Sequence, residues 1–188
     1  MERRQPDQRT PYEEYCAVPE DVRCELINDE IVMMGAASLE HQRICGEVFG
    51  QLWSHLRNKR CQAFQDVGVR FTEDEPINNA LRPDIVVVCD PSKYRKQGIV
   101  GAPDLVIEVL SPPDVIRDAV TKLDIYMKAG VLEYWIIHPV QRIVHTFILD
   151  SGHYILTSYV YNDHVPVTVL DDFAIDMGRV FIDHSISE

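Results

Sequence analysis

Two short apolar runs, each with one acidic residue, constrain this chain more than any other feature. They cover residues 82–89 and 103–110, with Asp84 in the first and Glu108 in the second. Short runs rich in Val and Ile and bounded by Pro and Gly are typical of strands covered on both faces. A buried carboxylate is costly unless it is paired or binds a metal. We therefore predict a shared role for Asp84 and Glu108, and a metal ion is the simplest explanation.

The segment between these runs favours an antiparallel pair. Residues 90–102 lack helical periodicity and are short for a crossover between parallel strands. One register places Asp84 opposite Glu108 and Val86 opposite Val106. Directly opposed residues share a face of the sheet, so in this register the two carboxylates converge. A slip of one residue would put them on opposite faces, so the convergence is a hypothesis about register.

A helix is predicted directly after the second run. Asp114 is a suitable N-cap, residues 115–129 carry an apolar stripe at helical spacing, and Gly130 is a suitable stop. Lys122 lies at the edge of that stripe, with Asp118 one turn before it. If the helix runs back along the strand, Lys122 is about 12 Å from the helix start, at about 1.5 Å per residue. We therefore expect Lys122 at the level of the carboxylates.

Two acids and a lysine at one point suit metal-assisted hydrolysis of a phosphodiester. Asp84 and Glu108 would hold Mg²⁺ or Mn²⁺ through oxygen ligands, and the backbone carbonyl of Val109 is a third candidate ligand. The metal would polarise the phosphate and activate a water. Lys122 would orient that water or stabilise the developing negative charge.

These residues also stand in a pattern that resembles a known family. Pro83-Asp84, the segment 103–112, the spacing Asp118-x-x-x-Lys122 and the segment 126–135 look like the Uma2 family of the PD-(D/E)xK, restriction-endonuclease-like superfamily. The resemblance runs from about residue 12 to residue 170. It implies a metal-dependent nuclease site at Asp84 and Glu108, with the lysine moved to the following helix, where this chain has Lys122.

The resemblance also points to accessory positions and shows two departures. Glu25 and His41 match accessory positions of the family. Residues 137–139 read Ile-His-Pro where an Asp-Pro is usual, and residues 28–30 read Asn-Asp-Glu where a Gly commonly makes the turn. Neither departure involves Asp84, Glu108 or Lys122.

The predicted fold is α/β in the broad sense, an α+β mixed sheet with a restriction-endonuclease-like αβββαβ core. An N-terminal hairpin and a C-terminal β-hairpin are added to that core. We expect one domain over residues 1–188, with its core at about 12–170 and an acidic tail at 171–188. The main predicted elements are a hairpin around residues 28–29, a helix over 38–59, a strand over 61–72 and a hairpin over 143–161.

The composition limits the cellular location and the binding partners that we expect. The net charge of −12 argues against tight nonspecific binding to nucleic acid. Residues 143–188 hold one basic residue, Arg179, against seven acidic ones, so we expect this segment to face solvent or a protein partner. The five cysteines are scattered and without a C-x-x-C, which favours free thiols in a reducing cytosol. No stretch resembles a signal peptide or membrane span, so we expect a cytoplasmic protein that does not bind membranes.

Three hypotheses remain open for the role of Asp84, Glu108 and Lys122. The first is a Mg²⁺- or Mn²⁺-dependent DNA endonuclease, expected to act as a homodimer because two sites are needed to cut two strands. The second is a catalytically silent relative that serves as a protein-interaction or regulatory module. The third is a structural ion-pair network in which Lys122 and Arg82 neutralise Asp84 and Glu108. Gln65 and Asp66 could border the site, but the sequence does not distinguish them from ordinary strand residues.

Overall fold

The computed structural model describes residues 9–74, 76–111 and 115–182, and for residues 115–120 it describes the backbone only. These parts of the chain form helices and strands in mixed order. The helices are α1 (Pro11–Cys16), α2 (Leu39–Leu56), α3 (Val115–Ala129) and α4 (Met177–Val180). None of the described helices is long and apolar enough to cross a membrane.

The strands form two larger sheets and one small sheet. The first sheet has the order β2 (Glu30–Met33), β1 (Cys24–Ile27), β5 (Ala80–Leu81), β4 (Val69–Arg70), β8 (Gly98–Val100) and β7 (Tyr94–Arg95). The second has the order β12 (His153–Val160), β11 (Ile143–Asp150), β10 (Glu133–His138), β9 (Leu105–Val109), β6 (Ile85–Val88) and β3 (Gln62–Gln65). The third pairs β13 (His164–Pro166) with β14 (Ala174–Asp176).

The centre of the second sheet confirms the predicted register. Strands β6 and β9 are antiparallel, with Val86 opposite Val106 and Ile85 opposite Ile107. Continued by one residue, this register places Asp84 opposite Glu108. Strand β10 is parallel to β9 and follows α3, as a crossover requires. The order α2-β3-β6-β9-α3-β10 is the predicted αβββαβ core, and the mixed α+β fold is confirmed.

Helix α2 covers one face of this core. Its N-cap is Ser38, whose hydroxyl accepts a hydrogen bond from the His41 backbone N–H at 3.1 Å. The helix buries an apolar stripe with a four-residue repeat against the central strands, formed by Ile44, Val48, Leu52 and Leu56. This stripe fixes which side of α2 faces the sheet, and His41 in the first turn lies on the same buried side.

The predicted strand over 61–72 is wrong as a single element. It divides into β3 and β4, which belong to different sheets. The break lies at Asp66, which has a φ of +51°. Its backbone N–H donates to the Asp84 carbonyl at 3.1 Å. A local pattern of alternation does not reveal a break that depends on contacts with residues far along the chain.

The C-terminal quarter contributes to the core. Its buried residues include Val165, Ile175, Met177, Val180 and Phe181, which pack with the stripe of α2. The core therefore continues past residue 170, where we expected it to end. We expected residues 143–188 to face solvent or a protein partner. That expectation agrees with the exposed acidic side chains of this segment, but it is wrong for the five buried apolar residues.

The expectation of five free thiols is also wrong. Cys61 and Cys89 form a disulfide, whereas Cys16, Cys24 and Cys45 are free. The reason is the pairing of β3 with β6, in which Gln62 lies opposite Val88. This register places Cys61 and Cys89 at the same end of the two strands, although they are 28 residues apart in sequence. The cytoplasmic setting inferred partly from these cysteines stays a prediction.

Reduction of this disulfide should destabilise the protein. A bond that closes a loop of this length is expected to contribute about 3.5 kcal/mol to the free energy of unfolding. Urea unfolding with and without a reductant measures the difference. Thiol titration of the unfolded, unreduced protein should find the three free cysteines. A Cys16→Ser control should lose the same stability on reduction as the wild type and titrate two thiols. A titration that finds five thiols would contradict the pairing.

Candidate active site

Five polar or charged side chains meet where the two large sheets approach each other. Asp84 precedes β6, Glu108 lies on β9, Glu25 on β1, His41 on α2 and Lys122 on α3. All five except Asp84 are buried, and the Asp84 side chain is 14% exposed. The site is therefore assembled from both sheets and two helices, so it forms only when the whole core has folded.

Lys122 binds two of the carboxylates. Its ammonium Nζ lies 3.2 Å from Glu108 Oε1 and 2.9 Å from Glu25 Oε2. Lys122 and Glu25 are 6% and 2% exposed, so these contacts are shielded from water. Helical and strand rise together predicted the level of Lys122, and the structure places Lys122 in contact with Glu108. The structure also places Glu25, an accessory position suggested by the family pattern, in direct contact with the lysine.

Asp84 is held by the neighbouring strand and by α2. Its Oδ2 accepts a hydrogen bond from the Val109 backbone N–H at 2.8 Å and lies 3.2 Å from His41 Nε2. The hydrogen bond to Asp84 raises the pKa of His41 above its usual value, burial opposes this shift, and a hydrogen bond to the Val109 backbone adds to it. His41 therefore helps to fix the orientation of Asp84, and the raised pKa means that this contact favours the protonated imidazole.

The environment of Glu108 disfavours its charged form. Burial raises the pKa of Glu108 to about 8, with Lys122 opposing the shift and Asp84 and Glu25 adding to it. The Tyr126 hydroxyl donates to Glu108 Oε1 at 3.0 Å. Burial also raises the pKa of Tyr126 well above its usual value, so the phenol stays a donor.

Tyr126 is a site residue that the sequence did not single out, because a Tyr at this spacing fits the apolar stripe of α3. Its position four residues after Lys122, on the same helical face, was the available signal. The direction of its hydroxyl follows from the packing of α3 against β9.

The carboxylates fit a divalent metal. Asp84 Oδ1 and Glu108 Oε2 accept no hydrogen bond from the described part of the chain, whereas the other oxygen of each is bonded. The cluster also holds three acids, Glu25, Asp84 and Glu108, against Lys122 and His41. Carboxylate oxygens are the donors that Mg²⁺ and Mn²⁺ prefer, and a bound cation would favour the charged form of Glu108.

A second donor group overlaps this site. One atom each of His41, Cys45 and Asp84 lie within 4.8 Å of one another, and Cys45 Sγ lies 3.6 Å from His41 Nδ1. Burial raises the pKa of the Cys45 thiol far above its usual value, and sulfur is a softer ligand than Mg²⁺ or Mn²⁺ prefers. The oxygen donors of Asp84 and Glu108 are therefore the better candidates.

Two further predicted residues, Asp118 and Arg82, do not add a contact to the cluster carboxylates Asp84 and Glu108 in the part of the chain that the structure describes. The side chain of Asp118 is not among the described parts. Arg82 does not neutralise Asp84 or Glu108, because its Nε binds Asp66 at 2.7 Å and its backbone N–H donates to Glu25 at 2.7 Å. The structural ion-pair interpretation is therefore supported for Lys122 and wrong for Arg82.

A cavity of about 230 Å³ opens beside the cluster and gives access to it. Apart from Cys45, the residues that line it are polar or charged: Arg23, Gln42, Gln65, Asp66 and Asp84. Gln65 and Asp66, which the sequence left undecided, therefore border the candidate site.

The metal-free protein should lose stability as pH rises. The folded-state pKa of Glu108 is raised from 4.5 to about 8 and that of His41 is also raised, so the folded state holds more protons than the unfolded chain. The stabilisation is present below about pH 4.5 and is lost as pH rises through about 8. The slope can reach about 1.4 kcal/mol per pH unit for each proton.

Unfolding in EDTA at a series of pH values tests this slope. Glu108→Gln should give a shallower fall, while a control variant of the exposed Glu30 on β2, Glu30→Gln, should keep the wild-type slope. A wild-type stability that rises between about pH 5 and pH 8 would contradict this account of the charge balance.

Comparison with known proteins identifies the family of this chain. A family model for Uma2, described as "Putative restriction endonuclease", matches residues 10–178. The crystal structure of a protein described as a "putative nuclease belonging to DUF820", from Anabaena variabilis ATCC 29413, superposes with a TM-score of 0.76 at 19% identity, covering 93% of this chain and 98% of that one. An uncharacterized protein of Synechocystis sp. is 25% identical over 157 residues, 81% of each chain. The chain belongs to the Uma2 family.

Proposed function

We propose that this protein is a Mg²⁺- or Mn²⁺-dependent endonuclease that hydrolyses phosphodiester bonds of DNA. The observation that carries the proposal is the pairing of β6 with β9, which brings Asp84 opposite Glu108 while Lys122 of α3 contacts Glu108. Membership of a family described as restriction endonucleases supports the same reaction class.

Each residue of the cluster has a role in this proposal. Asp84, Glu108 and the carbonyl of Val109 would hold the metal. When bound, the metal supplies Lewis acidity and a water of lowered pKa. The Tyr126 hydroxyl and Lys122 share one oxygen of Glu108, which leaves the other oxygen for the metal.

Lys122, Glu25 and His41 position groups around the reacting phosphate. Lys122 is a buried ammonium that stabilises negative charge developing on the phosphate and orients the attacking water. Glu25 keeps Lys122 in place by accepting its hydrogen bond at 3.0 Å. His41 holds Asp84, so its loss should reduce activity less than the loss of Asp84 itself.

Cleavage of plasmid and linear duplex DNA tests the proposal. With Mg²⁺ or Mn²⁺, the wild type should nick or linearise plasmid, and EDTA, Asp84→Asn or Glu108→Gln should abolish cleavage. Lys122→Met should reduce the rate by about a hundred-fold or more. Lys128→Met is the matched control, because Lys128 lies on the same helix, is exposed and pairs with Asp124. Cleavage by Glu108→Gln at the wild-type rate would contradict the assignment.

The second candidate is a catalytically silent module that binds a protein partner. The observation that favours it is the net charge of −12, half of which lies in the C-terminal quarter. This alternative predicts no cleavage of any DNA and no change of the melting temperature on adding Mn²⁺. A melting temperature that rises with Mn²⁺ in the wild type but not in Glu108→Gln would contradict it.

We also propose that the protein acts as a homodimer joined through the free edge of β12. This strand ends the second sheet, and residues 153–161 contain no Asp, Glu, Lys or Arg. Ile155 and Leu156 are 53% and 55% exposed on its two sides. Natural edge strands are usually protected by charge, Pro or a bulge. Before Val160, where the Asp163 carboxylate binds the edge, β12 carries no acidic or basic side chain apart from His153. A second copy of this stretch matches it without charge repulsion, although the chain as a whole is acidic.

The hairpin geometry identifies the backbone groups that such a partner would bind. A two-residue loop joins β11 to β12, with Asp150 opposite His153. In such hairpins the residues flanking the loop form a hydrogen-bonded pair, so the odd-numbered residues of β12 bond to β11. The even-numbered residues then direct N–H and C=O outward. The Val160 N–H agrees, because it donates to the Asp163 side chain at 2.8 Å.

Proline substitutions at two adjacent positions of β12 distinguish an effect on dimer formation from an effect on the stability of the fold. Ser158→Pro removes an outward N–H and should convert a dimer to a monomer with little change of melting temperature. Thr157→Pro removes an N–H that bonds to β11 and should destabilise the fold by about 3 kcal/mol. Light scattering after size exclusion gives the mass. A monomeric wild type, or a dimeric Ser158→Pro, would contradict this interface.

A further inference from the structure

Two arginines hold one carboxylate at the mouth of the cavity beside Asp84. Arg23 Nη2 lies 2.6 Å from Asp66 Oδ1, and Arg82 Nε lies 2.7 Å from the same oxygen. Arg23 and Asp66 line the cavity together with Asp84. Two positive charges therefore face one negative charge next to a candidate metal ligand, in a chain with a net charge of −12.

The backbone ties this group to the candidate metal site. Asp66 has a left-handed φ of +51°, which is uncommon outside Gly, and its N–H donates to the Asp84 carbonyl. Arg82 lies two residues before Asp84, and its own N–H donates to Glu25. The positions of Asp66 and of the Arg82 backbone are therefore fixed relative to the carboxylates of the site.

Stabilisation of the fold does not account well for this arrangement. The side chains of Arg23, Arg82 and Asp66 are 35%, 36% and 47% exposed, and ion pairs with this exposure contribute about 0–1 kcal/mol. Arg23 Nε is buried with no hydrogen-bond partner in the described part of the chain. An unpaired buried donor is a cost. The guanidinium is thus not fully satisfied by Asp66, and its exposed end can take another acceptor.

The chemistry of the two arginines suits a phosphate. A guanidinium presents planar, parallel N–H donors that match phosphate oxygens and stays charged at all relevant pH values. The cavity also carries Gln42 and Gln65, whose amides are uncharged hydrogen-bonding groups. An acidic protein needs such local positive charge to approach a polyanion.

We propose that Arg23 and Arg82 bind a DNA backbone phosphate adjacent to the one that is cleaved. In the free protein, Asp66 forms ion pairs with both guanidiniums, and the phosphate replaces it on binding. The inference rests on the proposed nuclease function and names how that site recognises its substrate. Asp66 is then a competitor of the nucleic acid, whereas in a purely structural network it would be a partner that only stabilises.

Binding of a short labelled DNA duplex tests this inference. The parent for the experiment is Glu108→Gln in EDTA, so that binding is measured without cleavage. Fluorescence anisotropy is recorded over a series of NaCl concentrations for the parent and for added Arg23→Gln, Arg82→Gln or Asp66→Asn substitutions. Arg57→Gln, an exposed position after α2, is the matched control.

Each arginine variant should weaken binding by about ten-fold and lower the dependence of log K on log salt by about one. Asp66→Asn should tighten binding, because it removes a competing negative charge, and Arg57→Gln should match the parent. A purely structural network predicts that neither arginine variant changes DNA binding relative to the parent. Weaker binding by Asp66→Asn, unchanged binding by both arginine variants, or no binding by the parent would overturn the inference.

The outcome is independent of the cleavage test. A wild type that cleaves plasmid with Mn²⁺, together with arginine variants that bind like the parent, would overturn the phosphate subsite and leave the endonuclease proposal standing. A wild type that cleaves nothing, together with the expected shifts in binding, would overturn the endonuclease proposal and support Arg23 and Arg82 as phosphate contacts.

Discussion

The buried ammonium of Lys122 is the interaction on which the rest of the structure depends. It comes from α3 and contacts Glu25 of the first sheet and Glu108 of the second sheet. A buried charge is tolerated only when it is paired and hydrogen-bonded, so this contact specifies how α3 and the two sheets fit together. Removal of Lys122 would leave the buried carboxylates of Glu25 and Glu108 without the cation that they share.

The contrast with Glu133 separates a site from a structural carboxylate. Glu133 is fully buried on β10, and its oxygens accept hydrogen bonds from Trp135 Nε1, the Thr168 hydroxyl and the Val169 N–H. Both of its oxygens are therefore satisfied, and it attaches the C-terminal segment to the sheet. Glu108 is similarly buried but keeps one oxygen without a donor from the described chain. This difference in hydrogen bonding is the physical basis for assigning a metal to Glu108 and none to Glu133.

The predictable parts of this protein follow from local periodicity, and the rest follow from long-range contacts. The two apolar runs indicated a pair of buried strands, and the β6–β9 register was a hypothesis in which the Asp84 and Glu108 carboxylates converge. Helical and strand rise together predicted the level of Lys122. The Cys61–Cys89 bond required knowing that β3 pairs with β6. The break at Asp66 depends on hydrogen bonds from residues far along the chain. Periodicity assigned the Tyr126 ring to the buried face of α3. It could not predict where the Tyr126 hydroxyl points, because that depends on packing against the sheet.

The central claim is that the carboxylates of Asp84 and Glu108 hold a divalent metal. Anomalous diffraction at the manganese absorption edge, from crystals grown with Mn²⁺, tests this claim most directly. The account predicts a peak between these two carboxylates, and none there in crystals of Glu108→Gln. A manganese peak bound instead by Cys45 and His41, or no peak near Asp84, would contradict it.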